Sequence, residues 1–257
     1  FFLKERLYLK KMENLRVSTI TAVSQISSDI DLKKIYDEIP ISEFIPFIEY
    51  GSENEPRGFS KKATRKPRKK KVKKIFYNQA TIHVYRDGKI MNVKLFNNGK
   101  IQITGLKKVQ QGYDLINELI AYFKNYTILK EDVKMINYSI PLINSDFDLG
   151  FEINRENLHK EIVEQGLYSS YEPCIYPGVN IKYFMNNNIE NGICNCISLC
   201  NGKGRCNGDG DCKKVTIAVF KSGKTIITGG QNEDQLVKAY TFIKTFIDER
   251  RELFVLK

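Results

Sequence analysis

The stretch that decides the fold occurs twice, as VKLFNNGKIQITG at residues 93–105 and as IAVFKSGKTIITG at residues 217–229. In both copies, β-branched and aromatic residues flank an Asn-Gly or Ser-Gly pair, which favours a turn with positive φ. The sequence therefore predicts one β-hairpin in each copy and a chain made of two similar halves. At a constant offset of 124 residues, the identical pairs include Phe96 and Phe220, Gly99 and Gly223, Lys100 and Lys224, Thr104 and Thr228, and Gly105 and Gly229.

Helical periodicity follows each hairpin, and a strand with a short helix precedes it. Strand-like segments lie at 15–26 and 134–143, and short helical ones at 31–39 and 154–166. Because a sheet is the simplest cover for the helices' apolar stripes, we predict an α+β fold: a continuous antiparallel sheet with helices on one face and an open binding face. The stripes are Tyr113, Ile116, Leu119 and Phe123 in the first half, and Val237, Tyr240, Ile243 and Ile247 in the second.

This pattern divides the chain at residue 130. The predicted organisation is an N-terminal extension at 1–14, a first repeat at 15–129 and a second repeat at 130–257. A basic insertion at 51–74 interrupts the first repeat, and a Cys-rich insertion at 186–213 interrupts the second.

The net charge of +11 is concentrated in one segment. Residues 61–74, KKATRKPRKKKVKK, hold ten basic side chains and no acidic one. Such a run is either a solvated loop or an arm for a polyanion, nucleic acid before an anionic membrane surface. No segment reaches the roughly 18 apolar residues that a membrane span needs, so we expect a soluble, intracellular protein.

Five of the six cysteines crowd into one Gly/Asn-rich stretch with the spacing C-x-C-x3-C-x5-C-x5-C. Zinc, disulfides and free thiols all remain open for this stretch, because the spacing is not a standard zinc pattern. We expect no other cofactor. His83 and His159 are isolated from any catalytic pattern, and we predict that the protein is not an enzyme. The clustered cysteines are Cys194, Cys196, Cys200, Cys206 and Cys212.

Two segments, SSYEPCIYPGVNIKYF at 169–184 and VTIAVFKSGKTIITGG at 215–230, resemble the second repeat of the TATA-box-binding protein family. VSTIT and LFNNGKIQITG resemble its first repeat, so the likeness spans about residues 15 to 250. The departures are similar to those of the divergent versions in large DNA viruses. The resemblance implies a two-repeat saddle with a curved sheet, which binds and bends the DNA minor groove during transcription initiation; DNA bending by inserted wedges is known of this family.

The resemblance also implies site residues. The aromatic wedges are Phe96 and Phe220, partnered by Tyr176 in the second half and by Phe76, or alternatively Tyr77, in the first. Lys100 and Lys224 correspond to phosphate contacts. Glu172 corresponds to a residue that docks transcription factor IIB, while Cys174 replaces a second acidic one. The side chains implied to read the minor groove are Val17, Thr19, Thr104, Asn137, Ile226 and Thr228.

Some positions depart from the family pattern. Leu15 stands where asparagine is expected, and Gln102 and Ser139 replace apolar residues. Two alternatives therefore stay open: a sequence-neutral architectural DNA-binding protein, and a protein-interaction scaffold that has lost DNA binding. The implied partners are A·T-rich double-stranded DNA, a factor like transcription factor IIB and RNA polymerase, with no membrane. The implied location is the nucleus, or a cytoplasmic viral factory if the protein is viral.

Overall fold

The computed structural model describes residues 14–51, 55–59, 76–186, 191–194, 196–198, 200–203 and 212–256. The basic run at 61–74, nearly all of the N-terminal extension, and Cys206 lie outside these ranges. The chain folds as two compact units: a first unit of Thr19–Pro141, and a second unit of Phe1–Ser18 with Leu142–Lys257. The boundaries between these units fall inside the first strand of each repeat.

The first unit is an antiparallel sheet with two helices. Its strands are hydrogen-bonded in the order β3-β2-β4-β5-β6-β1. Its elements are β1 (Arg16–Ile26), α1 (Leu32–Glu38), β2 (Phe47–Tyr50), β3 (Arg57–Gly58), β4 (Gln79–Arg86), β5 (Lys89–Phe96), β6 (Lys100–Leu106), α2 (Val109–Asn125) and the start of β7 (Met135–Asp148).

The second unit repeats this plan. Its strands follow the order β7-β11-β10-β9-β8, again antiparallel. Its elements after β7 are α3 (Arg155–Glu164), β8 (Tyr168–Glu172), β9 (Tyr176–Met185), β10 (Lys213–Val219), β11 (Lys224–Gly230), α4 (Glu233–Glu249) and α5 (Arg251–Phe254).

The predicted hairpins and helices are present in both units. The β5–β6 and β10–β11 hairpins form, and the short helices begin after side-chain caps at Asp31 and Asn154. One residue of the predicted stripes differs, because Tyr113 of α2 is 43% exposed and stands edge-on to Tyr138, while Leu115 takes the core position. None of the helices in the described residues has the length and apolarity to span a membrane.

Each unit's sheet is covered by helices on one face. In β5, Met91, Val93 and Leu95 are buried, whereas the residues between them stay partly exposed. The same alternation in β11 buries Thr225 and Ile227. Since α2 packs on β6, and α4 on β10 and β11, the buried residues lie beneath the helices and the others form an open face. The α+β class with helices on one face is as predicted.

Candidate nucleic-acid interface

The two hairpin turns place an aromatic ring at the end of each open face. The N–H of Gly99 donates to the carbonyl of Phe96 at 3.0 Å, and Gly223 donates to Phe220 at 3.0 Å. These glycines have φ of 77° and 81°. A Cβ on Gly99 would lie 2.2 Å from the carbonyl oxygen of Ser28, so the turn excludes any larger residue.

The predicted wedge pair of the second unit is assembled. The rings of Tyr176 and Phe220 lie 5.7 Å apart between centroids, at 59° to each other. Gly178 leaves the space that both rings occupy, because a Cβ there would approach Tyr176 to 2.8 Å and Phe220 to 3.2 Å. Both rings stay partly exposed, so an apolar surface remains available at this corner.

In the first unit, the candidate partners of Phe96 are more exposed than Tyr176 is in the second unit. In the β4–β5 ladder Gln79 lies opposite Phe96, and the two candidate partners, Phe76 and Tyr77, are 58% and 68% exposed. Tyr77 is the better partner by strand register. Ala80 pairs with Leu95 as Val179 pairs with Val219, and the residues three positions upstream are Tyr77 and Tyr176. The basic insertion before Phe76 hides this correspondence in the sequence.

A bulge in the pairing of β6 with β1, and another in the pairing of β11 with β7, sets which residues share the open face with the threonines. Gly105 and Gly229 sit at the bulges, with φ of 103° and 96°. Directly beside the threonines, Thr104 pairs with Thr21 and Thr228 pairs with Asn144. Directly paired residues in a ladder point to the same face, so Thr21 and Asn144 join the candidate interface, and sequence matching misses both.

The strand register bears on three of the implied readers, Asn137, Val17 and Thr19. In the ladders, Thr21 and Asn144 occupy equivalent positions, whereas sequence matching aligns Leu15 with Asn137, so the two alignments of the repeats differ by one residue. Asn137 is exposed, but lies in the part of β7 that belongs to the first unit, where its carbonyl accepts from Ser24 Oγ at 2.7 Å. Val17 and Thr19 are partly buried in β1, before its pairing with β6 begins.

The next row of the open face differs between the units. In the second unit Ile226 pairs with Asp146, which accepts from Ser18 Oγ at 2.7 Å and forms an ion pair with Arg16 at 2.8 Å. In the first unit the corresponding row sets Val23 against Gln102. Each row therefore has one apolar and one polar member, on opposite strands.

Lysines bring positive charge to the open face. Lys100 and Lys224 are exposed where β6 and β11 begin, as the phosphate-contact assignment needs. Lys182 donates to Thr216 Oγ1 at 2.9 Å, and burial, followed by repulsion from Lys214, lowers the pKa of Lys182. Since Thr216 also pairs with Thr228, Lys182 shares the face of the implied readers. The alternation in NIKYF could have revealed Lys182 from the sequence.

A cleft of about 740 Å³ in the second unit joins several of these groups. It is lined by Phe220, Lys224 and Ile226 together with Asn14 and Arg16. The implied wedge, phosphate contact and groove reader of the second repeat thus border one concave surface.

The turn between β8 and β9 presents the implied partner site. Glu172 and Cys174 are exposed, and Ile175 is 80% exposed. The Ile175 N–H donates to the carbonyl of Glu172 at 3.0 Å, which closes the turn. An acidic and an apolar side chain therefore project together.

The histidines are explained by packing. The ring of His83 is buried 4.6 Å from that of Phe47, and His159 Nδ1 lies 2.9 Å from Ser169 Oγ.

The structure also brings four of the clustered cysteines together: Cys194, Cys196, Cys200 and Cys212.

Comparison with known proteins gives consistent relatives. Residues 137–249 match the family described as "Transcription factor TFIID (or TATA-binding protein, TBP)". A "TATA-box-binding protein-like" protein of Acanthamoeba polyphaga mimivirus is 30% identical over 252 residues, covering 90% of this chain and 64% of the relative. The "TATA-box-binding protein" of Archaeoglobus fulgidus is 23% identical over 229 residues, 88% of this chain and 90% of that protein.

Among solved structures, "Methanococcus jannaschii TBP" matches with a TM-score of 0.55 and 18% identity. The match covers 92% of this chain and 99% of that one, and it establishes the fold. The chain spans less than two thirds of the length of the mimivirus relative.

Proposed function

We propose that this chain, which is similar to a mimivirus protein and to archaeal TATA-box-binding proteins, is a divergent member of that family and binds DNA through its open faces. In this proposal the open faces lie on the minor groove and the duplex is bent. The observation that carries the proposal is the placement of Phe96 and Phe220 at equivalent glycine-dependent turns, each at the end of an open face.

The wedges supply the bending step. A partly exposed ring such as Phe220 enters a base step and unstacks it, which costs a few kcal/mol per step. Apolar contact with the wedge and the release of counterions offset this cost. Because the Tyr176 ring already packs beside Phe220, the second-unit wedge is pre-assembled and loses little side-chain entropy on binding.

The threonine rows supply the preference for A·T pairs. The minor groove offers acceptor atoms at A·T pairs, and the exocyclic amino group of guanine projects into it at G·C pairs. The hydroxyls of Thr104 and Thr228 donate to these acceptors, while Ile226 leaves no acceptor for the guanine amino group. Lys100, Lys224 and Lys182 contact phosphates and position the protein without reading the sequence.

The bent complex then recruits the initiation machinery. The exposed turn with Glu172 and Ile175 docks a factor like transcription factor IIB, and RNA polymerase follows. The site of action is the nucleus, or a cytoplasmic factory if the protein is viral.

One observation favours a second candidate, a sequence-neutral architectural binder. Asp146 lies in the row of Ile226, and Gln102 occupies the equivalent row of the first unit. Polar groups there weaken the discrimination between A·T and G·C pairs without reducing the contacts to phosphates.

Affinity for an A·T-rich and a G·C-rich duplex, each at two salt concentrations, tests these proposals. We expect tighter binding to the A·T-rich duplex, and a reduced preference in a Thr104→Val, Thr228→Val double variant. Thr245→Val, at an exposed site on α4, is the matched control and keeps the preference. Equal affinities with a steep salt dependence would favour the architectural binder, and absence of binding to either duplex would overturn DNA binding.

A further inference from the structure

The segment between β9 and β10 holds a cluster of thiols that DNA binding does not use. The sulfur atoms of its four described cysteines all lie within 4.8 Å of one another, and Cys196 Sγ is 3.6 Å from Cys212 Sγ. The members are Cys194, Cys196, Cys200 and Cys212.

These distances match four ligands around one ion. Zinc–sulfur bonds of about 2.3 Å in a tetrahedron place the sulfur atoms about 3.8 Å apart. A disulfide needs about 2.05 Å, and two separate disulfides do not require all four sulfur atoms to converge. The cluster therefore has the size of a tetrahedral thiolate site.

Hydrogen bonds from β9 and β10 anchor the segment that carries the cysteines. Cys212 is buried and directly precedes β10, and the segment is tied to the strands where Phe184 donates to Gly192 at 2.9 Å and Lys214 donates to Gly202 at 2.7 Å. A Cβ on Gly202, whose φ is 67°, would lie 2.5 Å from Lys214 Cβ, so only glycine permits this approach.

Hydrogen bonds also point at the sulfur atoms. The N–H of Gly202 lies 3.3 Å from Cys200 Sγ, and Asn186 Nδ2 lies 3.8 Å from Cys212 Sγ. Donors directed at metal-bound sulfur orient the ligands and stabilise their negative charge.

We propose that these four cysteines bind one structural zinc ion. Each thiol releases its proton to solvent and donates a sulfur lone pair to Zn²⁺, which gives a four-thiolate centre with a net charge of −2. Lys203, Lys213 and Lys214 lie within three residues of a ligand in the sequence and offset this charge. With four protein ligands the coordination shell is closed, so the ion is structural and not catalytic.

The zinc ion cross-links the segment that connects the end of β9, at Met185, to the start of β10, at Lys213. This segment is rich in Gly and Asn and supplies little apolar surface of its own, so the metal takes the place of a core. The two strands carry Lys182 and Lys214, but zinc binding itself does not depend on DNA binding.

Metal analysis of the chain of residues 1–257, purified under reducing conditions without added chelator, tests the site. We expect one zinc per chain, and loss of most of it in Cys200→Ser and Cys196→Ser variants. Cys174→Ser, at an exposed cysteine outside the cluster, is the matched control and keeps the metal. Cobalt added to the metal-free chain should produce the visible bands of tetrahedral cobalt and a thiolate charge-transfer band, and the melting temperature should fall on zinc removal.

The unmodified chain decides the question even if a variant fails to fold. A chain that contains no stoichiometric zinc and takes up neither zinc nor cobalt would overturn the proposal. So would stoichiometric iron, disulfide-linked peptides among these cysteines in the reduced protein, or a Cys174→Ser variant that loses the metal as fully as Cys200→Ser.

Discussion

In the first repeat Leu106, at the end of β6, fills the space above Gly112 of α2, while in the second repeat Leu236 of α4 fills the space above Gly230 of β11. The positions correspond at the same offset of 124 residues, so the large and the small partner have changed places. A Cβ on Gly112 would lie 2.6 Å from Leu106 and 2.4 Å from the hydroxyl oxygen of Tyr138, and one on Gly230 would lie 2.7 Å from Leu236. The contact between strand and helix needs one leucine and one glycine. The strand supplies the leucine in the first repeat, and the helix supplies it in the second.

The open face shows the same exchange. Val23 faces Gln102 in the first unit, and Asp146 faces Ile226 in the second. By contrast, the turn and bulge glycines are the same in both repeats, because the positive φ at these positions favours glycine. Identity of the glycines therefore marks positions set by backbone geometry, and exchange marks positions where only the sum of two side chains matters.

The turn glycines offer the strongest test of this comparison. We expect Gly99→Ala and Gly223→Ala each to lower the free energy of unfolding by about 3 kcal/mol or more, since the left-handed backbone and a backbone oxygen within 2.3 Å both oppose a Cβ. Denaturant unfolding measures the loss.

Two other glycines serve as controls for this measurement. Gly88 and Gly150 have φ of 73° and 82°, and a Cβ at either position would meet nothing within 4 Å, so alanine there costs only the backbone term, about 1–2 kcal/mol. If Gly99→Ala cost no more than Gly88→Ala, the turn would not be set by its close approach to Ser28.

The exchanged leucine–glycine pair offers the next test. Gly112→Leu should cost about 1–3 kcal/mol through overpacking, and Leu106→Gly about 2–5 kcal/mol through lost burial. The double variant removes the clash with Leu106 but keeps the close approach to the Tyr138 hydroxyl. We therefore expect it to be more stable than the sum of the single changes by about 0.5–3 kcal/mol. A double-mutant cycle by denaturant unfolding checks this, with Gly230→Leu and Leu236→Gly as the reciprocal cycle. Additive costs in both cycles would show that the two contacts are not equivalent.

The start of β7 offers a smaller test, which concerns a strand of the second repeat that packs in the first unit. Tyr138 donates to the carbonyl of Val109 at 2.7 Å, and burial, with a smaller effect from Asp114, raises its pKa to about 12. Tyr138→Phe should lower the free energy of unfolding by about 1 kcal/mol at neutral pH.

The pH dependence of that loss follows from the raised pKa. Between pH 10 and about pH 12 the unfolded tyrosine loses its proton while the folded one keeps it, so the parent chain loses stability as pH rises. The variant lacks this loss, so the difference between the two stabilities should stay constant up to about pH 9 and shrink above about pH 10, until the stabilities converge near pH 11. Tyr113→Phe is the control; a constant difference between the parent and Tyr138→Phe would contradict the assignment.

The fold was predictable because its signals are local. Hairpin turns, helical periodicity and the repeat offset can all be read from neighbouring residues, and Asp31 and Asn154 cap the helices where the pattern begins. The register of β1 and β7, the first strand of each repeat, was not predictable, because it depends on the bulges at Gly105 and Gly229 and on pairing with strands that are distant in the sequence. Sequence matching misses Thr21 and Asn144 because their positions opposite Thr104 and Thr228 follow from this long-range pairing.

The site was predictable only where a motif surrounds the residue. Phe96, Phe220 and the two threonines sit within the repeated hairpin, so their placement at the turns and on the open face follows directly from the motif. The sequence favours Phe76 over Tyr77 because the insertion before them removes the spacing that would align the repeats. Lys182 has only the alternation in NIKYF as a signal, because it lies outside the repeated hairpin.

The central claim is that equivalent aromatic side chains in the two repeats bend DNA, and the bend angle of a dye-labelled A·T-rich duplex tests it most directly. The parent chain should bring the duplex ends closer in a fluorescence energy-transfer measurement. A Phe96→Ala, Phe220→Ala double variant should leave the duplex nearly straight while its circular dichroism spectrum stays that of the folded protein. Tyr113→Ala, which changes an exposed aromatic on α2, should bend DNA as the parent does. An unbent duplex with the parent chain, or equal bending by the double variant, would contradict the account.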